Sequence, residues 1–226
     1  MADKLRLGVM VSGGGTNLQS LIDTCEAGLV DAEVVLVISN KADAYALERA
    51  RKHSIPAVHV PVGRNETPEY FRADEEQVRL FREHGVELVC MAGYLRKAGP
   101  ALLGAYSQAV LNIHPALLPA FPGVHVQWHA VDYGVRISGC TVHFADEEFD
   151  RGPIIIQAAV PVLQDDDGDA LAGRILRQEH KIYPQAVQWF AQGRLQIEGR
   201  RVIVRDARPG DWHDGAIISP ALELPL

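Results

Sequence analysis

Val110-Leu111-Asn112-Ile113-His114-Pro115-Ala116-Leu117-Leu118-Pro119 is the stretch that decides how the rest of the chain is read. Apolar positions run into a polar pair, Asn112 and His114, separated by one residue. In an extended segment that spacing projects both side chains from one face of a sheet. Pro115 then ends the strand, because proline cannot donate to a ladder and turns the residue before it away from helix. An amide and an imidazole are thereby expected side by side at the carboxyl end of a buried strand, which is where open α/β sheets bind ligands. The plainer reading of the pair alone is a turn-capping asparagine and a satisfied core histidine.

Upstream of this stretch, strand and helix signals alternate. Leu5 to Val11 is a buried strand, Ser12-Gly13-Gly14-Gly15-Thr16-Asn17 a glycine-rich turn, and Leu18 to Cys25 a helical pattern closing near Gly28. Further strands are expected over Ala32–Ile38, Ile55–Val60 and Glu87–Ala92. A helix is expected between Asp43 and His53, and another from Thr67-Pro68-Glu69, a hydroxyl cap followed by proline and an acid, to His84-Gly85. Such alternation predicts a Rossmann-like, mostly parallel sheet with helices on both faces. Downstream, a short helix is expected over His125–Tyr133, then strands over Gly139–Phe144 and Ile154–Val160. The acidic turn between those strands is too short for a crossover, so antiparallel strands enter in the C-terminal half. A long helix over about 169–190 and a hairpin over Leu195–Val204 complete the expected fold, and the last twenty residues are expected to wrap loosely. No composition break marks a second domain, so residues 1–204 are read as one α/β domain and 205–226 as a tail.

Composition narrows the function. The 226 residues are 47% hydrophobic and 23% charged, the balance of an ordinary globular protein. A net charge of -7 argues against a nucleic-acid surface, though backbone donors can bind a small anion whatever the global charge. Cys25, Cys90 and Cys140 form no Cys-x-x-Cys pair, and Cys90 and Cys140 lie in apolar runs, as in the core of a reduced protein. The polar start Met1-Ala2-Asp3-Lys4 is unlike a signal peptide and no apolar run approaches a membrane span, so a cytoplasmic protein with no membrane partner is expected. The sequence leaves the oligomeric state open.

The glycine-rich turn between strand and helix points to an anion site, where free amides and the helix dipole face a phosphate. It lacks the lysine of the NTPase phosphate loop. It also lacks the third glycine of the dinucleotide fingerprint, replaced by Leu18, and the second strand ends in Ser39-Asn40 rather than an acid. A purely structural turn stays open at this point. Together with Asn112, His114 and Asp150 of the acidic turn, a phosphate site suits acyl transfer to an amine. Asn112 could donate to the oxygen of a tetrahedral intermediate. A protonated His114 could do the same beside the Asp150 carboxylate, with proton removal through Asp150 or a water. Taken alone, Asp150 reads as a solvated turn residue. Ser12, Ser39 and Ser138 lack the setting of a nucleophile. His125 and His129 lie one helical turn apart without the glutamate of a zinc protease, and are read as partly buried helix histidines; no metal is expected.

The sequence resembles the phosphoribosylglycinamide formyltransferases of purine synthesis, which use 10-formyltetrahydrofolate. The likeness runs from Val11 to about Phe190. It rests on Ser12 to Gln19, Ser39-Asn40-Lys41-Ala42, Ala92-Gly93-Tyr94-Leu95-Arg96 and Leu111-Asn112-Ile113-His114-Pro115. It continues through Gly139 to Phe144, Asp150-x-Gly152-Pro153-Ile154-Ile155 and Glu179-His180-Lys181-Ile182-Tyr183-Pro184. The resemblance implies a catalytic trio of Asn112, His114 and Asp150. It implies that Gly15, Thr16 and Asn17 hold the phosphate of glycinamide ribonucleotide, that Glu179 meets its ribose, and that Tyr94, Leu95, Arg96, Lys97 and Ala98 line a pterin pocket, largely through backbone contacts. Three departures stand out. An arginine frequent near the third helix start is replaced around Tyr70, leaving Arg72 close by; Lys97 replaces an apolar residue; and His129 replaces a glutamine. A formyltetrahydrofolate hydrolase would share the trio but carry a regulatory domain ahead of it. A methionyl-tRNA formyltransferase would need a basic extension. A non-catalytic phosphoribosyl-binding module would give no reason for the trio.

Overall fold

Continuous apolar runs such as Leu7–Val11 are buried on both faces, and the strands that carry them pair with one another in parallel. The structure, a computed structural model, describes residues 4–226; the polar start at Met1, Ala2 and Asp3 lies outside the described residues. By its contacts the chain divides into two compact units, one up to Asn112 together with Phe144–Glu147, the other Ile113–His143 with Glu148–Leu226. The division falls inside a strand rather than in a linker, so no shift of composition announces it.

The first unit carries β1 (Leu5–Val11), α1 (Thr16–Glu26), β2 (Ala32–Ser39), α2 (Tyr45–Lys52), β3 (Ala57–His59), α3 (Pro68–Glu83), β4 (Leu88–Met91), α4 (Pro100–Ala105) and the start of β5 (Val110–His114). β1 pairs in parallel with β2 and β4, β2 with β3, and β4 with β5. The order 3-2-1-4-5 reverses direction between β1 and β4, and the carboxyl ends of those two strands flank a ligand crevice in folds of this kind. Met10, Leu36, Ile38, Phe81, Val89 and Leu102 are among the side chains of its core. α1 begins at Thr16, two residues before the expected Leu18, which makes Gly15 its cap. α4 has no counterpart among the expected elements.

The second unit holds α5 (Val126–Tyr133), β6 (Ile137–Phe144), β7 (Ile154–Pro161), α6 (Gly168–Ala191), β8 (Leu195–Glu198), β9 (Arg201–Val204), β10 (Asp211–His213) and β11 (Ala216–Ser219). β6 and β7 form the expected antiparallel hairpin. The Asp167 carboxylate accepts from the Ala170 amide at 2.8 Å and so caps α6, whose Ile175, Ile182, Tyr183 and Trp189 are fully buried. The loosely wrapping tail expected over 205–226 is corrected: β10 and β11 form a hairpin, and β11 pairs antiparallel with β7. Its physical reason is the apolar content of that hairpin and of the residues just after it, with Ala216, Ile218 and Ala221 completely buried. Among the described residues, no helix is long and apolar enough to cross a membrane.

Candidate active site

In the first unit the glycine-rich turn leaves β1 and enters α1 through Gly15, whose φ of 71° is the left-handed conformation that glycine adopts without penalty. Gly15 offers no side-chain cap, and the first turn of α1 holds no acid to oppose an anion. Arg49 of α2 donates Nε to the Gly14 carbonyl at 2.7 Å and Nη1 to Gln19 Oε1 at 3.1 Å, adding a positive charge beside the turn. These are the conditions an anion needs.

Ser12 ties that turn to its neighbours. Its hydroxyl donates to Asn40 Oδ1 at 2.6 Å and accepts from the Leu95 amide at 2.8 Å, while its own amide donates to the Gly93 carbonyl at 3.1 Å. The carboxyl ends of β1, β2 and β4 are thus joined through one small side chain. The residues Tyr94 to Ala98 stand together on the loop after β4. Tyr94 and Ala98 are buried, Arg96 and Lys97 half-buried, and Leu95 is 58% exposed. Burial pushes the Tyr94 hydroxyl up to about 12, so it stays a neutral hydrogen-bonding group. Asn112 lies opposite Met91 in the β4–β5 register, half-buried, one residue removed from His114 along β5.

In the second unit His114 is buried. Its Nε2 lies 2.9 Å from the Phe121 carbonyl and its Nδ1 3.4 Å from Asp150 Oδ2. Both ring nitrogens face oxygen acceptors, which a doubly protonated ring satisfies on both sides and a neutral ring on one. Asp150 is not a solvated turn residue: its side chain is 8% exposed. Its φ of 53° lies in the left-handed region, uncommon for a side-chain-bearing residue, and the Gly123 amide donates to its Oδ2 at 2.9 Å. The other carboxylate oxygen faces His143 Nε2 at 3.8 Å. His143 was not singled out in the sequence. Its signal in the sequence is the one-residue spacing of Thr141 and His143 on β6, the same as that of Asn112 and His114 on β5.

Thr141 also positions the segment after β5. Its hydroxyl donates to the Ala116 carbonyl at 2.7 Å and accepts from the Leu118 amide at 3.1 Å, and Gln157 of β7 donates to the Leu118 carbonyl at 3.0 Å. Glu179 is buried on α6. Burial first, and the Glu179 charge second, hold the Cys140 thiol well above its ordinary value, and burial pushes Cys25 up to about 12, so neither is a nucleophile. His125 and His129 are exposed, which corrects the partly buried reading of that pair. Among the described residues, no group of three or more His, Cys, Asp and Glu could hold a metal ion.

Comparison with known proteins adds a second kind of observation. The family described as Formyl transferase matches residues 5–187, most of the chain. The chain belongs to the formyl transferase family. Within the family it is similar to the phosphoribosylglycinamide formyltransferase of Escherichia coli (strain K12), 38% identical over 212 residues that cover 94% of this chain and 95% of that protein. A solved glycinamide ribonucleotide transformylase 1 from Symbiobacterium toebii is 48% identical with a TM-score of 0.87, covering 91% of this chain and 96% of that one. A formyltetrahydrofolate deformylase from Pseudomonas syringae superposes with a TM-score of 0.83 at 29% identity, but only 67% of that chain is covered. The formyl transferase fold, parallel in the N-terminal part and antiparallel in the C-terminal part, is the one the sequence implied.

Proposed function

We propose that the chain transfers a formyl group from 10-formyltetrahydrofolate to the primary amine of glycinamide ribonucleotide, a step of de novo purine synthesis, by direct acyl transfer. The observation that carries the chemistry is the buried pair between His114, at the end of the strand that also holds Asn112, and Asp150 of the β6–β7 turn. Relatives named for this transfer, matching over nearly their whole length, support the choice of substrates.

In this reading the amine attacks the formyl carbon and the carbonyl π-electrons move to oxygen. Asn112 and a protonated His114 donate to that oxyanion, where preorganised donors stabilise the transition state. For His114 this means exchanging the Phe121 carbonyl at Nε2 for the substrate oxygen. Asp150 holds the charged ring and takes the proton released by the amine, directly or through a water. Collapse of the intermediate breaks the bond from the formyl carbon to N10, and N10 takes up the proton held by Asp150 or that water, leaving as tetrahydrofolate. Gly15, Thr16 and Asn17 hold the ribonucleotide phosphate, Glu179 meets the ribose, and Tyr94, Leu95, Arg96, Lys97 and Ala98 line the pterin pocket. No metal takes part in these steps.

The test is to mix the purified protein with 10-formyltetrahydrofolate, with and without glycinamide ribonucleotide, and to follow the folate absorbance. Turnover that depends on the ribonucleotide supports the transfer. Turnover without it indicates the hydrolase, the activity named for the Pseudomonas syringae neighbour, and no turnover indicates a binding module.

A further inference from the structure

We infer that a polar stripe on α3, made of Tyr70, Asp74 and Gln77, is the element that fixes the shape of the 94–102 segment and thereby sets the affinity for the folate. The inference rests on the proposed reading of residues 94–98 as the pterin pocket. The three residues follow at i, i+4 and i+7, one face of a helix. All three are almost completely buried, among apolar neighbours such as Ala73, Val78 and Phe81. Each holds a different point of the segment. Gln77 Nε2 donates to the Tyr94 hydroxyl at 3.0 Å, and the Tyr70 hydroxyl donates to the Ala98 carbonyl at 3.1 Å. Asp74 accepts from the Ala101 amide at 2.7 Å and the Leu102 amide at 3.2 Å.

The Asp74 bonds do what a capping residue ordinarily does for its own helix. α4 is capped by Gly99, which has no side chain to offer, so the cap comes from α3. The fit is close: a Cβ at Gly99 would lie 2.1 Å from Asp74 Cγ. Burial pushes the Asp74 carboxyl above its ordinary value, and the two amides offset only part of that. A charge kept in the core at such a cost is a poor way to gain stability and a good way to specify one geometry. With the stripe on one side and Ser12 holding the Leu95 amide on the other, the segment is fixed at Tyr94, Leu95, Ala98, Ala101 and Leu102 before any ligand arrives. Such preorganisation raises affinity because less ordering remains to be done on binding.

The test uses Asp74→Asn, which keeps the size and leaves one of two acceptors, and Gln77→Leu, which removes only the bond to Tyr94. Amide hydrogen exchange over residues 94–102 is read in the free enzyme, and KM for each substrate is read separately from kcat. Asp74→Asn is expected to speed exchange at Ala101 and Leu102 and to raise the folate KM on the order of tenfold, as for one buried group left unsatisfied. The ribonucleotide KM, and kcat at saturating folate, should stay within about twofold. Gln77→Leu should give a smaller rise of the same kind, and it serves as the probe if Asp74→Asn does not fold. Unchanged exchange with an unchanged folate KM in both variants overturns the inference, as does a fall in kcat with both KM values unmoved. Faster exchange with a raised ribonucleotide KM and an unmoved folate KM instead overturns the assignment of this segment to the folate.

Discussion

Gly15 sits so close to Ala46 that an added Cβ would lie 2.5 Å from the Ala46 Cβ and 2.9 Å from its Cα. The obstruction includes helix backbone, which cannot rotate away, and φ is already left-handed. Gly13 and Gly14 meet nothing within 4 Å. Gly15→Val is therefore expected to push the turn off α2 and raise the ribonucleotide KM while folate binding is largely kept, whereas Gly14→Ala should change little. Steady-state kinetics on the two variants check this; an unchanged ribonucleotide KM in a folded Gly15→Val protein contradicts it.

Lys97 and Arg72 differ in their freedom to reach a folate glutamate. Arg72 pairs with Glu69 at 2.8 Å on the exposed side of α3, while the structure gives Lys97 no ion pair among the described residues. An exposed pair to an added carboxylate contributes roughly 0.2–1 kcal/mol. Lys97→Ala should weaken folate binding by a few-fold at most, more at low salt, and Arg72→Ala by less. Calorimetric titrations at two salt concentrations test the order; no loss at low salt in the double variant places the glutamate elsewhere.

Asp166 and Arg174 join the loop after β7 to α6 through two contacts, at 2.5 and 2.8 Å. The hydrogen bonds from Arg174 hold the Asp166 carboxyl below its ordinary value. A depressed carboxyl adds stability above its unfolded pKa of about 4, and that stability is lost as pH falls through the folded value. Arg174→Ala should cost about 1–2 kcal/mol at neutral pH, and the loss should shrink in acid. Denaturant titrations from neutral pH down to the acid limit of folding measure it; a loss independent of pH contradicts it.

The C-terminal hairpin is expected to be part of the stability of its unit. Ile218 is completely buried, whereas its neighbour Trp212 is 66% exposed on the edge strand. The Gln185 side chain accepts from the Glu223 and Leu224 amides at 2.7 and 2.8 Å, which ties the chain end to α6. Ile218→Ala should cost about 2–4 kcal/mol and Trp212→Ala less than about 0.5 kcal/mol. Chemical denaturation of both variants tests the contrast, and equal losses would contradict it.

Which features the sequence made legible follows from the range of the interactions involved. The parallel strands are signalled by continuous apolar runs, and α3 by Thr67-Pro68-Glu69, all local patterns. The cap of α4 is supplied by Asp74, 27 residues upstream of Ala101, and no local pattern announces it. The burial of Asp150 is also non-local, since it depends on Gly123 and on two histidines from other strands. The β10–β11 hairpin is different, because its signal was present. Asp214-Gly215 between apolar alternations marks a two-residue hairpin turn, and both residues have positive φ, 44° and 76°. The surrounding prolines and glycines obscured it.

The central claim is that Asn112, His114 and Asp150 work as one unit on the transition state, and kcat with binding read separately tests it most directly. Loss of one oxyanion donor, in Asn112→Ala or His114→Ala, should lower kcat on the order of 10²–10³, or about 3–4 kcal/mol. The double variant His114→Ala/Asp150→Asn should fall well short of the product of the single losses, with calorimetry still finding both substrates bound. The decisive measurement is kcat of folded Asp150→Asn across pH 6 to 8. The account predicts a large loss throughout that range, and a near-normal kcat would contradict it and remove Asp150 from the chemistry.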